Sequence, residues 1–146
     1  MKITVMTLVY PIKEDKILLG LKKLRIGQGT YVGFGGRVDS NESIEEAAVR
    51  ELKEECGLIA STTNLVDRGY LKIHNPKYET LGVLRIHIFT LTSWKGRVCE
   101  TEEMKPQWFR RKSFLWHKMR ESEAYWLPAV LNGRKVQVEI WYDTNE

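Results

Sequence analysis

The sequence predicts an α/β fold in which two helices lie among the strands of a mixed sheet. Strand-like segments alternate apolar with β-branched, aromatic and polar residues, two other segments carry helix start and stop signals, and turn residues separate them. The chain has 146 residues, 42% of them hydrophobic, with no linker-like stretch, internal repeat or low-complexity segment, so one domain covering 1–146 is expected.

Residues 2–10 are rich in Thr, Val, Ile and Leu, and 16–21 are short and apolar; a turn at 11–15 makes them a hairpin. Residues 26–36 hold five glycines around Tyr31 and Phe34, which suits a loop and short strand where backbone must approach something closely. Ser43 with Glu46 three residues later reads as a capping box, so a helix starts at Ile44, and Gly57 supplies its left-handed stop. Residues 64–74 and 81–92 read as neighbouring strands, with Leu84, Ile86 and Ile88 alternating against Arg85, His87 and Phe89. A short strand is expected at 105–110 and a loop or single turn at 113–120. Ser122 should cap a second helix through about Leu131, closed by Asn132-Gly133, with Pro128 as a source of kinking. Val136, Val138, Ile140 and Tyr142 alternate with polar residues in a final strand at 135–143.

The first helix is anomalous. Glu51, Glu54 and Glu55 project from one side, and Glu51 and Glu55 fall among Ile44, Ala47, Ala48 and Leu52, the apolar stripe. Carboxylates on a core-facing stripe repel one another and cost several kcal/mol to desolvate unless something positive sits among them. Glu46, Arg50 and Lys53 fall on the opposite side by the helical wheel and suffice for a solvent face. An oxygen-only donor set of this density suits a hard divalent ion, Mg²⁺ or Mn²⁺.

From Gly36 to Leu58 the chain resembles the Nudix box: Gly36, five residues, Glu42, seven residues, Arg50-Glu51, apolar Leu52, any residue, Glu54-Glu55, any residue, Gly57, apolar Leu58. Further segments, among them Leu18-Leu19-Gly20-Leu21-Lys22-Lys23, Gly33-Phe34-Gly35-Gly36, Glu103-Met104-Lys105-Pro106 and Tyr125-Trp126-Leu127-Pro128, resemble the MutT-type branch that sanitises oxidised nucleotides. The resemblance implies an α/β/α sandwich and hydrolysis of a nucleoside diphosphate linked to a further group. It implies metal ligation by Glu51, Glu54 and Glu55, with Glu103 as an added acid and the carbonyl of Gly35 or Gly36 completing the sphere. One of these acids would orient or deprotonate the water, Arg50 would hold Glu51 or Glu54 in its ligating rotamer, and Glu42 would lock the loop to the helix. Substrate contact is implied for Thr7, Lys22, Gly35, Gly36, Glu123 and Trp126.

The pattern departs where a base is read. Mammalian members of that branch have asparagine before Gly-Phe-Gly-Gly, where this chain has Val32, and two base-reading aspartates where it has Ser122 and Glu123; Trp116 is a candidate for a displaced stacking role. The leading expectation is a Mg²⁺-dependent nucleoside triphosphate pyrophosphohydrolase for oxidised purines such as 8-oxo-dGTP. The alternatives are a diphosphatase for ADP-sugars, dinucleoside polyphosphates or capped RNA, and a non-catalytic nucleotide-binding module. Net charge of +4 and a pI near 9.1 favour polyanions without naming one. The five tryptophans are scattered and His74, His87 and His117 share no ligand spacing, so neither a stable nucleic-acid complex nor a histidine metal site is expected. Cys56 and Cys99 are expected as reduced thiols, the location as cytoplasmic without membrane contact, and the state as a monomer or small homo-oligomer.

Overall fold

A computed structural model describes residues 2–24, 28–112, 119 and 122–143; the expectations for 113–118, including Trp116 and His117, lie outside them, as do those for residues 120 and 121. Seven strands, β1 (Ile3–Lys13), β2 (Lys16–Lys22), β3 (Tyr31–Val32), β4 (Val66–His74), β5 (Val83–Leu91), β6 (Met104–Arg110) and β7 (Val136–Trp141), form one mixed sheet with helices α1 (Ile44–Cys56) and α2 (Glu123–Leu131). The main path runs β3-β2-β1-β5-β4-β7, and β6 pairs β2. Parallel β1–β5 and β4–β7 pairs combine with antiparallel β4–β5 and β2–β6 pairs.

Strand alternation sends neighbouring residues into two cores. Val9, Leu18, Phe89 and Leu91 pack with Ala48, Leu52 and Cys56 of α1, whereas Tyr10, Ile17, Leu19 and Ile88 pack with Trp126, Leu127, Val130 and Leu131 of α2. No helix among the described residues is long and apolar enough to cross a membrane.

The α1 boundaries are those the caps dictate: Ser43 accepts from the Glu46 amide while Glu46 returns to the Ser43 amide, and Gly57 at φ 82° closes the helix. Three expectations need correction. The first strand runs through Pro11 to Lys13, so the turn shrinks to Glu14 and Asp15. Pro11 is tolerated because it stands where the β5 ladder ends and the β2 ladder begins at Ile12, a position where a missing donor costs little. Ser122 makes no side-chain cap, since its backbone is already helical; its hydroxyl instead accepts from Tyr142 at 3.2 Å, joining the start of α2 to the chain just past β7. Arg50 does not belong to the solvent face.

The two cysteines have opposite surroundings. Burial within the α1 core pushes the Cys56 thiol up to about 12, whereas Cys99 is exposed. A thiol reagent should therefore label Cys99 of the native protein and reach Cys56 after denaturation. Rapid labelling of both in the native state would contradict the packing of α1.

Candidate active site

The glycine segment before α1 runs antiparallel along β1, with the Val9 amide donating to Phe34 at 2.6 Å, Phe34 back to Val9 at 3.0 Å, Thr7 to Gly36 at 2.9 Å and Val38 to Val5 at 3.0 Å. A Cβ on Gly35 would fall onto the Thr7 carbonyl, and one on Gly36 would meet Glu51 Oε1 at 2.5 Å. Gly35 therefore excludes a side chain through the backbone of β1, whereas a side chain at Gly36 would have to displace the Glu51 carboxylate. The Gly35 amide donates to Glu55 Oε1 at 2.6 Å.

Arg50 folds over the acids. It donates to Glu42 through Nε (3.0 Å) and Nη2 (2.6 Å), to Glu51 (3.0 Å) and Glu54 (3.2 Å) through Nη1, and to the Arg37 carbonyl at 3.1 Å. The helical wheel failed here because a long guanidinium stem reaches around the helix toward charge. The Arg50 hydrogen bonds hold the Glu42 carboxyl down to about 2 and raise Arg50 further still. Glu42 also accepts from the Asp39 amide at 2.9 Å, which locks the loop to the helix.

Glu55 is 5% exposed, and burial pushes its carboxyl up to about 8; the Gly35 amide and the Lys22 charge oppose that rise, and Glu51 and Glu103 add to it. Burial also raises Glu51, with Arg50 opposing and Glu54 and Glu103 reinforcing. Glu103 reaches this field from a turn in which Thr101 donates its hydroxyl to the Glu55 carbonyl at 3.1 Å and accepts from the Met104 amide at 3.2 Å. Among the described residues no three His, Cys, Asp or Glu side chains are gathered as a formed metal site. The chemistry of the donors nevertheless fits a hard cation: they offer oxygen only, and two of them, Glu51 and Glu55, are desolvated and raised.

A cavity of about 520 Å³ adjoins the acids. Its lining includes Thr7, Lys22, Gly35, Glu55 and Glu123, which the sequence reading had scattered along the chain. The lysine pair divides: Lys22 faces the cavity, while Lys23 binds the Glu100 carboxylate and, at 2.8 Å, the Thr101 carbonyl. Thr7 is 1% exposed, and its hydroxyl has no hydrogen-bond partner among the described residues, which suits a group reserved for a ligand. Trp126 is a correction: at 2% exposure it packs in the α2 core and is not among the lining residues, while Tyr125 is 82% exposed. A nine-residue helix with a mostly buried face draws the larger apolar ring inward. Sequence reasoning missed the apolar wall, Leu71 and Ile73 of β4 and Leu84 and Ile86 of β5, and the rim at Asn75, Tyr78 and Tyr142. Strand alternation put Leu84 and Ile86 on one face of β5, but nothing in it separates cavity from core.

Fold and site define a hydrolase of phosphate anhydrides built on one acidic helix. Residues 2–130 match the NUDIX domain, and the chain belongs to that family of hydrolases. It is 37% identical over 133 residues to the oxidized purine nucleoside triphosphate hydrolase of Danio rerio, a match covering 89% of this chain and 81% of the relative. The Mus musculus protein of the same name is 36% identical over 132 residues, 88% and 80% of the two chains. The ADP-ribose pyrophosphatase of Methanocaldococcus jannaschii is 44% identical over 74 residues, 51% of this chain and 44% of its own. A mutator MutT protein from Bacillus halodurans shares the fold with a TM-score of 0.82 at 23% identity, over 97% of this chain and 92% of that one.

The Glu55 shift has a thermodynamic sign. Its folded value, about 8, lies above the ordinary 4.5, so between these values the folded state binds more protons than the unfolded chain. Stability without divalent metal should fall as pH rises through that window, and Glu55→Gln should flatten the slope and melt higher at its upper end. Parallel melting-temperature profiles for the two proteins would refute the assignment.

Proposed function

We propose that this Nudix enzyme hydrolyses nucleoside triphosphates to the monophosphate and pyrophosphate, using Mg²⁺ or Mn²⁺, and acts on oxidised purine deoxynucleotides such as 8-oxo-dGTP. The observation that carries this reading is the single cavity that holds Lys22, Gly35 and Glu55 in the same lining as the buried carboxylate of Glu123. Its volume falls among ordinary small-molecule sites. The names of the Danio rerio and Mus musculus relatives point to the same substrates.

Glu51, Glu54 and Glu55, with Glu103 and the Gly35 carbonyl, would hold the ion. Bound there, a divalent ion supplies charge neutralisation on the phosphate oxygens. Lys22 steers the phosphates, Thr7 donates its unmatched hydroxyl, and Arg50 orients Glu51 and Glu54 while remaining anchored on Glu42. Water attacks phosphorus, the bond to the departing pyrophosphate breaks with its electron pair, and the water proton passes to one of the carboxylates. An ionised Glu123 accepts from the N1–H and exocyclic amine of a guanine-type edge, which an adenine edge without an N1 proton cannot satisfy. Val32 lines the cavity and supplies no hydrogen bond, so discrimination of the oxidised base should be modest.

A Mg²⁺ hydrolysis screen across normal and oxidised nucleoside triphosphates, ADP-ribose and dinucleoside polyphosphates, scoring pyrophosphate against phosphate, tests the reading. Guanine-type triphosphates should lead, 8-oxo-dGTP above dGTP, with pyrophosphate as product; preference for ADP-ribose would move the substrate to the other branch. Glu54→Gln and Glu55→Gln should each lose most turnover while staying folded, and near-native turnover at saturating Mg²⁺ would remove that residue from the metal set. Glu123→Ala should lower kcat/KM for guanine-type substrates about tenfold or more, and far less for pyrimidines. A uniform loss, or none, would place Glu123 outside base recognition.

A further inference from the structure

Tyr10 stands on β1 and packs in the core on the α2 side of the sheet. It is fully buried, and the tip of its ring lies directly behind Gly33, where a Cβ would come within 2.7 Å of Cε1 and Cζ. Gly33 lines the cavity. On its other side the ring meets Trp126 edge-on, with centroids 6.1 Å apart, and Trp126 lies one helical turn after Glu123, which lines the same cavity. The phenol end of the ring is thus packed behind the cavity residue Gly33, and the ring also touches the helix that presents Glu123.

That oxygen has no hydrogen-bond partner among the described residues, and neither has Trp126 Nε1. An unmatched donor in a core is costly, and phenylalanine would fill the same space without it. The retained hydroxyl needs an acceptor in some state of the protein. Glu123 is the charged group whose influence Tyr10 feels: burial first, and the Glu123 charge second, hold the phenol well above its ordinary value, so it stays a protonated donor.

We infer that Tyr10 is a positioning residue for base recognition, its hydroxyl donating to one Glu123 oxygen when a base occupies the cavity and leaving the other oxygen aimed at that base. The inference rests on the role of Glu123 proposed above. A glutamate has an extra rotatable bond, and a donor behind it removes the freedom that would otherwise blur its reading. Tyr10 touches no reacting atom, so its effect should appear in substrate affinity.

Tyr10→Phe removes the hydroxyl and keeps the ring. Its melting temperature should hold or rise, and KM for the preferred guanine-type triphosphate should increase about tenfold with kcat nearly unchanged. In a Glu123→Ala background the same change should have no further effect, because the group being positioned is gone. Equal losses for purine and pyrimidine substrates, an undiminished effect in the Glu123→Ala background, or no effect at all would overturn the inference. A shift in base preference from Glu123→Ala with none from Tyr10→Phe would sink this role while sparing the proposed function. No shift from Glu123→Ala would sink both. Should the variant not fold, the near-ultraviolet tyrosine band of the unaltered protein gives the second measurement: a non-hydrolysable guanine nucleotide should shift it to the red, and the shift should vanish in Glu123→Ala. A shift that persists there overturns the inference equally.

Discussion

The contact between the glycine segment and the acidic helix organises everything around it. Gly35 gives its amide to Glu55, Gly36 leaves room for Glu51, and the segment carrying both glycines is fixed on β1. The helix therefore cannot tilt without disturbing the central strand, and the carboxylates stay packed against backbone where water is scarce. Desolvation then does what it does to any buried acid: it favours the neutral form until a cation arrives. The same burial that destabilises the empty arrangement raises the affinity of the charged one for a hard ion.

Arg50 makes this arrangement tolerable. Its two donations to Glu42 form a fixed fork, which leaves Nη1 to share between Glu51 and Glu54. The guanidinium can surrender the second pair of contacts without losing the first. Lysine could not do both, since a point charge on a flexible stem has no second edge to offer.

What the sequence made legible was local. The capping box, the glycine stop and the spacing of Glu51, Glu54 and Glu55 are all written within one helix, and the structure realises them at the expected residues. Strand alternation was equally readable in β7, where burial alternates residue by residue, whereas one face of β5 passes from the cavity wall at Leu84 and Ile86 to the core at Ile88. The register that lays β1 parallel to β5 depends on residues about eighty positions apart, and no local pattern encodes it. The same limit hid the cavity wall and the division between Lys22 and Lys23, both decided by partners distant in the chain. Trp126 was misplaced for a related reason: an aromatic on an apolar helix looks alike whether the ring faces a ligand or a neighbouring tyrosine.

Alternation along β1 also separates the two tasks of the site. Val9 points into the α1 core that supports the acids, and Tyr10 into the α2 core behind Glu123. Under the proposed function, the acids of the phosphate site rest on the α1 side of the sheet and the base-reading Glu123 belongs to the helix on the α2 side. On that reading, substitutions around Glu123 or the β4–β5 wall would alter the nucleotide accepted without moving Glu51, Glu54 or Glu55. The acidic helix can therefore stay intact while the residues proposed to face the base vary, and Val32 and Ser122-Glu123, where the resemblance to the mammalian pattern breaks, all lie at the cavity and outside that helix.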